Sequence, residues 1–196
     1  MRIKEKAKVM DKEAIDKALE RMAHEIVECF EPSDDIAIIG IKNRGAYLAE
    51  RLASKIERLI KKKLPLGALD ITLYRDDLTQ VSEQPIVHAT EIDFTVENKK
   101  IILVDDVLFT GRTIRCALDA LVDLGRPGLI QLAVLVDRGH RELPIKADYV
   151  GKNVPTSMNE IVEVRLAEAD GKDEVVLCEM QAVFLIRRAV NYPELL

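Results

Sequence analysis

The chain has 196 residues, of which 48% are hydrophobic and 32% are charged, and its formal net charge is −5. This length and composition exclude a disulfide-stapled miniprotein and a disordered chain, and they fit one domain with a sizeable core. The longest apolar runs fall far short of the roughly 20 residues of a membrane helix, and residues 1–12 lack the apolar segment of a secretory signal. We therefore predict a cytoplasmic protein with no membrane partner, whose three cysteines are reduced thiols.

The first half of the chain predicts a helix, a strand, a second helix and a second strand. Apolar residues recur at helical spacing from Asp11 to Phe30, with Asp11 as a plausible N-cap. The apolar run 36–41 predicts a strand, and a second amphipathic helix follows Arg44 and Gly45. A further strand is predicted over 69–74.

Residues 75–95 are polar, lack a sustained period and contain a proline, which favours a long loop, with room for a short hairpin. Loops of this length are usually functional or disordered.

The second half begins with another strand, turn and helix. The pattern predicts a buried strand over 100–105, a turn over 106–111, a helix over 112–124 closed by Gly125, and a strand over 130–136. Alternation of buried strands with amphipathic helices indicates a mostly parallel sheet with helices on both faces.

Beyond residue 137 the segments become short. Apolar pieces at 147–150, 160–166 and 174–178 suit a small antiparallel subdomain or a sheet edge. The tail matches no pattern that we can assign. We therefore predict a single α/β domain over residues 1–179 and a C-terminal extension of unknown role over residues 180–196.

The turn after the third predicted strand carries the strongest functional signal, because ligands of open α/β sheets bind beyond the carboxyl ends of the strands. Asp105 and Asp106 are costly at the end of a buried strand unless they bind hydroxyls or a metal. Thr110 to Thr113 place hydroxyls and a glycine at a helix N-terminus, which favours a phosphate. An ordinary capping turn is the alternative. The Walker and dinucleotide-binding spacings are absent.

The thirteen residues 101–113 closely resemble the phosphoribosyl pyrophosphate (PRPP) signature of type I phosphoribosyltransferases. Over residues 9–179 the chain is similar to the PyrR family of bifunctional pyrimidine operon regulators with uracil phosphoribosyltransferase activity. The strings that carry this similarity are 40–45, 70–78, 136–144 and 151–157. The last two distinguish the PyrR family from ordinary salvage enzymes.

This resemblance implies a central, mostly parallel sheet flanked by helices, with a small hood subdomain, and it assigns roles to the acidic turn. Asp105 and Asp106 are expected to accept hydrogen bonds from the ribose hydroxyls and to help organise Mg²⁺. Thr110 to Thr113 are expected to hold the 5′-phosphate. The remaining substrate-binding residues expected in this stretch are Val107, Leu108 and Phe109 beside Thr110, Gly111, Arg112 and Thr113.

The resemblance also implies a diphosphate site formed by Lys42, Asn43, Arg44 and Gly45, with a non-proline cis peptide expected at Asn43–Arg44. Arg75 begins the long loop, which is expected to close over the substrate and bring this guanidinium to the leaving diphosphate as a catalytic group. Taken alone, Arg44-Gly45 reads as an ordinary strand-to-helix turn, and the charges around Arg75 read as a surface cluster.

For the base, the resemblance implies a hood segment over residues 136–144, with Arg138 in the nucleotide site. Uracil specificity would come largely from backbone groups at 136–139, with Val162 as a weaker candidate. The reaction implied is uracil plus PRPP giving UMP and diphosphate, and it needs positioning more than a nucleophile.

Three functions are weighed. The first is this uracil phosphoribosyltransferase, which without RNA binding would be a salvage enzyme. The second is an RNA-binding attenuator that senses UMP and binds operon leader mRNA, and the third is another phosphoribosyltransferase, such as one for purines, against which residues 138–144 argue. RNA binding would use basic residues to neutralise phosphates. The candidates are Arg21, His24, Arg141, Lys146 and Lys152. A solvated face is equally consistent with them, since glutamates lie among them. We also expect a homo-oligomer, a dimer or larger.

Overall fold

The structure, a computed structural model, describes residues 2–31, 34–72 and 90–181. The elements in chain order are β1 (Arg2–Asp11), α1 (Lys12–Cys29), β2 (Ile36–Ile41), α2 (Arg44–Ile60), β3 (Leu66–Leu69), β4 (Lys100–Leu108), α3 (Arg112–Leu124), β5 (Leu129–Asp137), β6 (Tyr149–Asn153), β7 (Glu160–Arg165), α4 (Ala167–Asp170) and β8 (Glu174–Gln181). Within these residues, no helix has both the length and the apolar character needed to cross a bilayer.

The main sheet has five strands in the order β3-β2-β4-β5-β6, and all of its described pairs are parallel. Alternate residues of its strands face opposite sides. Ile36 and Ile38 pack with α1 and α2, whereas Ala37 and Ile39 pack with α3. The predicted α/β architecture with helices on both faces is confirmed, and its two apolar cores hold the carboxyl ends of the strands in place.

A second, smaller sheet contains three antiparallel strands in the order β1-β8-β7. We call it the small sheet. Sequence analysis predicted no strand in residues 2–11, because alternating charges mask the pattern there. This segment is an edge strand in which most side chains are exposed, and charged side chains are the usual protection of such an edge. β8 extends to Gln181, past the predicted boundary at residue 179, and residues 182–196 lie outside the described part.

Three predicted boundaries are wrong. The strand predicted over 69–74 is β3, which ends at Leu69. The strand predicted over 147–150 is β6, which begins only at Tyr149; it pairs parallel to β5 and forms an edge of the main sheet, which was one of the two predicted alternatives. β4 continues to Leu108, because its last residues still pair with Val136 and Asp137. The acidic pair therefore sits inside a strand, and the turn after it is shorter than predicted.

The helix termini follow the sequence signals. Asp11 caps α1 as predicted, accepting a hydrogen bond of 2.8 Å from the Ala14 backbone N–H. α3 spans the predicted residues and begins after Gly111, whose φ of +93° is the left-handed conformation that glycine adopts readily. Most of the predicted long loop, residues 73–89, lies outside the described part.

Candidate functional site

A cavity of about 280 Å³ opens where β2, β3 and β4 reach their carboxyl ends. We call it the cleft. It is lined by residues 41–44, 70–72, 105–107 and Thr113. The diphosphate segment and the acidic pair of the sequence analysis, 60 residues apart in the chain, therefore meet in one space because adjacent parallel strands end at the same edge.

Asp105 and Asp106 form the acidic floor of the cleft. Asp105 is only 6% exposed, and one of its carboxylate oxygens accepts a 2.9 Å bond from the Asp106 backbone N–H. Burial raises the pKa of Asp105 well above its ordinary range, and the negative charge of Asp106 raises it further. Burial also raises the pKa of Asp106, although the Val107 N–H and the Arg44 charge oppose that rise. Such a pair is poorly compensated by the protein, which is typical of a ligand site.

This pair fits a magnesium ion. Mg²⁺ prefers oxygen ligands, and sites that handle phosphates commonly bind it through one or two carboxylates while waters and substrate oxygens complete the shell. A nearby cation would also favour the ionised carboxylates that burial disfavours. Within the described ranges no group of three or more His, Cys, Asp or Glu side chains could hold a metal. The fit to Mg²⁺ therefore rests on one or two carboxylates, as is usual at sites that handle phosphates.

The diphosphate segment, residues 42–45, links β2 to α2. Its cis peptide bond joins Lys42 to Asn43, one bond earlier than predicted, because Arg44 is already the first residue of the helix. A Cβ on Gly45 would approach the Val104 carbonyl oxygen to 2.6 Å, so only glycine allows α2 to approach β4 this closely. The helix start is thereby packed against the acidic strand.

Two side chains of this segment have carboxylate partners from distant parts of the chain. Arg44 donates from Nε and Nη2 to Asp170, at 3.1 and 2.8 Å. Lys42 Nζ donates to Glu91 at 2.7 Å. Sequence reasoning missed both acidic residues, because a contact between residues 126 or 49 positions apart leaves no local pattern.

The phosphate segment, residues 110–113, leads into α3, whose N-cap residue Gly111 has no side chain to cap the helix. The Arg112 N–H makes a long bond of 3.4 Å to Thr110 Oγ1, so both the predicted phosphate site and an ordinary capping turn are consistent with this helix start. The Thr110 carbonyl accepts bonds from the backbone N–H groups of Glu142 and Leu143. Arg112 Nε donates 2.7 Å to the Glu142 carboxylate. The hood segment therefore holds this turn from outside.

Arg141 ties the hood segment to the phosphate segment. Its guanidinium donates to the backbone carbonyls of Phe109 at 2.7 Å, Ile145 at 3.0 Å and Gly139 at 3.1 Å, and it forms an ion pair with Asp137. Arg141, one of the predicted RNA-binding residues, is thus engaged in an internal network while its side chain stays 22% exposed.

Arg138 is buried behind the same segment. Its guanidinium lies 4.0 Å from the centre of the Phe109 ring and donates to the Glu160 carbonyl at 2.6 Å. Burial lowers the pKa of Arg138. Val162 is 7% exposed and belongs to the apolar core, where it does not line the cleft; the structure thus places this candidate among packing residues.

The remaining basic candidates lie mostly along the edge formed by α1 and β6. Arg21 donates to the carbonyls of β6 residues Val150 and Gly151, and Lys152 Nζ donates to the Val9 carbonyl. Lys146 is exposed just before β6.

His24 lies about one turn after Arg21 on the same face of α1, with its Nε2 3.9 Å from a Glu20 carboxylate oxygen. Arg75 lies outside the described residues.

Comparison with known proteins agrees with this geometry. Residues 7–169 match the phosphoribosyl transferase domain family. The crystal structure of a hypoxanthine-guanine phosphoribosyltransferase from Bacillus anthracis superposes with a TM-score of 0.66 at 20% identity, covering 91% of this chain and all of that one. Fold and site together define a phosphoribosyltransferase of type I.

Two relatives narrow the class. The "Bifunctional protein PyrR" of Pelotomaculum thermopropionicum is 58% identical over 176 residues, which cover 90% of this chain and 97% of the relative. The protein of the same name from a Thermoanaerobacter species is 60% identical over 177 residues, covering 90% and 99%. The chain belongs to the PyrR family, in which regulation of pyrimidine operons is combined with uracil phosphoribosyltransferase activity.

Proposed function

We propose that this chain transfers the phosphoribosyl group of PRPP to uracil in the cytoplasm, giving UMP and diphosphate, and that UMP and PRPP control its binding to pyrimidine operon leader mRNA. The observation that carries the enzymatic part is the pair of the buried Asp105 and the half-buried Asp106, which share the cleft with the diphosphate segment and with Thr113 at the start of α3. These three features match the three polar parts of PRPP: ribose hydroxyls, diphosphate and 5′-phosphate.

In this proposal the protein contributes positioning and charge. The two aspartates accept hydrogen bonds from the ribose hydroxyls, and backbone N–H groups at residues 110–113 hold the 5′-phosphate. As the bond between the anomeric carbon and diphosphate breaks, residues 42–45 stabilise the negative charge that develops on the leaving group. Phosphoribosyltransferases generally use Mg²⁺ with PRPP, and Asp105 and Asp106 would hold that ion, which would neutralise charge on the diphosphate.

The base is proposed to lie under the hood segment. A second cavity, of about 360 Å³, is lined by residues 137–140 and 153–156 at the carboxyl ends of β5 and β6. The backbone at 136–139 is proposed to read the uracil edge, while Arg138 supports Phe109 from behind. A direct test incubates the purified protein with PRPP, Mg²⁺ and either uracil or hypoxanthine. UMP formed from uracil, with hypoxanthine inert, supports the proposal; the reverse preference would refute it.

The RNA part rests on the α1–β6 edge, where Arg21, Lys146 and Lys152 place positive charge on one side of the protein. We propose that Lys146 and Lys152 contact leader phosphates, because neither is held as firmly as Arg141. Replacing both with Gln should weaken binding to a leader hairpin and flatten its salt dependence by about 2 in logarithmic slope, since each lysine releases about one counterion.

Filter binding over several salt concentrations, with and without UMP, measures this effect. Uracil transfer by the same variant is the control, because neither lysine lines the cleft. An unmodified protein with no affinity for the hairpin would leave the uracil salvage enzyme as the correct function. We also propose assembly into a dimer or larger oligomer, which light scattering of the purified protein tests.

A further inference from the structure

The short helix α4, which joins β7 to β8 in the small sheet, is attached to α2 by two arginines. Arg44 and Arg51 are seven residues apart, or about two turns, so they lie on one face of α2. Arg44 binds Asp170, and Arg51 binds Glu168 at 2.5 Å and Asp173 at 2.7 Å. The two contacts look alike, but only Arg44 lines the cleft.

The geometry of the first contact leaves one side of the guanidinium to a ligand. Asp170 takes the edge formed by Nε and Nη2, and within the described ranges no hydrogen bond uses Nη1 of Arg44. The Arg44 side chain is 34% exposed. One carboxylate thus fixes the Arg44 guanidinium, and Nη1 makes no hydrogen bond to the described residues at the end of the cleft where the diphosphate segment lies.

Asp170 is itself held firmly. Its Oδ2 accepts a 2.9 Å bond from the Leu166 backbone N–H, and its own N–H donates 2.7 Å to the Leu166 carbonyl. Gly171 follows in the left-handed conformation with φ of +73°, which ends the helix there. A carboxylate anchored in this way can hold an arginine in one orientation.

We infer that Asp170 is a positioning residue that orients the Arg44 guanidinium for the diphosphate of PRPP, an inference that rests on the proposed function. A long side chain that is ordered before the ligand arrives loses less conformational freedom on binding. The small sheet thereby contributes to substrate binding from a residue that does not line the cleft. Removing the Asp170 charge also leaves more net positive charge near the bound anion, which by itself would strengthen PRPP binding. Salt screens this charge effect but does not alter the orientation of the Arg44 guanidinium, so measurements at higher salt separate the two.

The test uses Asp170→Asn, since an asparagine oxygen still accepts the bond from Leu166 while its amide cannot receive the Arg44 fork. We expect the KM for PRPP to rise about threefold to tenfold at roughly 0.15 M salt, with kcat and the KM for uracil nearly unchanged. The rise should persist at higher salt. An unchanged or lower KM for PRPP would overturn the inference.

Glu168→Gln is the matched control. It removes a similar ion pair from the same short helix, but its partner Arg51 does not line the cleft and keeps Asp173. We expect the KM for PRPP to stay at the wild-type value. A rise equal to that of Asp170→Asn would mean that attachment of α4 matters and orientation of Arg44 does not.

The double variant Arg44→Gln with Asp170→Asn shows whether Asp170 acts through Arg44. Its KM for PRPP should equal that of Arg44→Gln alone, and additive effects would contradict the inference. Calorimetric binding of inorganic diphosphate to wild type and Asp170→Asn separates this inference from the proposed function. Weaker binding by the variant, with no uracil transfer by wild type, would refute the activity and support the positioning role. Absence of diphosphate binding in wild type would refute both.

Discussion

The cleft and the small sheet each contain buried carboxylates, but the pKa shifts of these carboxylates are opposite in the two regions. Asp105 is 6% exposed, and Glu160 and Glu174 in the small sheet are 7% and 6% exposed. Burial raises the pKa of Asp105, whereas ion pairs lower the pKa values of Glu160 and Glu174 to about 2. All three carboxylates are nearly closed to solvent. Desolvation dominates at Asp105, whereas hydrogen bonds from basic side chains outweigh it at Glu160 and Glu174.

The partners in the small sheet are basic side chains of the protein itself. Lys6 donates 2.6 Å to Glu160, while Lys172, Lys8 and Arg165 surround Glu174. In the cleft, the described neighbours of the acidic pair compensate it only in part. A buried carboxylate whose charge is balanced by basic side chains of the protein stabilises the fold. A buried carboxylate whose charge is not balanced in this way is suited to bind a substrate or a metal ion.

The largest expected effect is on the cleft. Asp105→Asn combined with Asp106→Asn should reduce uracil transfer by at least about 100-fold, because the variant can neither accept the ribose hydroxyls as carboxylates nor hold Mg²⁺. The same double variant, without PRPP, should melt at a higher temperature than wild type at pH 7. A pKa raised by folding means that deprotonation opposes the folded state as pH rises above the unfolded value near 4, and asparagine removes that cost.

Initial rates and thermal melts of the same preparations measure both effects. Near-normal turnover would refute the role of the pair in catalysis. An asparagine oxygen can still accept the bonds from the Asp106 and Val107 backbone N–H groups. A melting temperature below that of wild type would therefore contradict the claim that the protein compensates the charges of the two aspartates poorly.

A smaller effect is expected at the phosphate segment. Thr110→Ala and Thr113→Ala should each raise the KM for PRPP about tenfold or more, since a hydrogen bond to a charged phosphate contributes about 1.5 to 3 kcal/mol. Steady-state kinetics at saturating uracil measures this change. Melting temperatures of both variants must accompany the kinetics, because a loss of helix stability would also weaken binding. An unchanged KM would remove the hydroxyls from the phosphate site.

The smallest effect concerns the small sheet and is on stability alone. Glu174→Gln should lower the melting temperature at pH 7 without changing uracil transfer. A folded pKa near 2 lies below the ordinary value of 4.5, so the stabilisation is complete above about pH 4.5 and is lost as pH falls through about 2. The melting curves of wild type and variant should therefore converge between those pH values. A difference that stays constant across this range would exclude the ion pairs as its cause.

Sequence reasoning predicted those parts of the candidate site that are contiguous in the chain, and the structure brings the acidic pair and the diphosphate segment together in one cleft. The acidic pair, the phosphate segment and the diphosphate segment are each recognisable in the sequence, because each consists of adjacent residues whose chemistry is typical of ligand binding. It missed Asp170 and the internal hydrogen bonds of Arg141, because each depends on contacts made only after folding. Residue types alone do not show whether an arginine meets solvent or a backbone carbonyl.

The fold was predictable for a similar reason. Buried parallel strands are continuous apolar runs and can be seen in the sequence, so the main sheet was predicted almost completely. β1 was missed because its exposed face is charged, and Ile3 is 64% exposed. β6 was found, but the sequence left open whether it belongs to a small antiparallel subdomain or to a sheet edge; it is the edge strand of the main sheet, a choice that depends on tertiary packing.

The pairing of β1 with β8 brings Arg2 opposite Gln181, so the first and last described residues are neighbours in antiparallel strands. A two-residue turn can join strands in that arrangement. A circular permutant that links these residues and opens the chain at the exposed connection between α3 and β5 would keep every strand pair of both sheets. Such a gene would lack residues 182–196, and its activity would show directly whether uracil transfer depends on them.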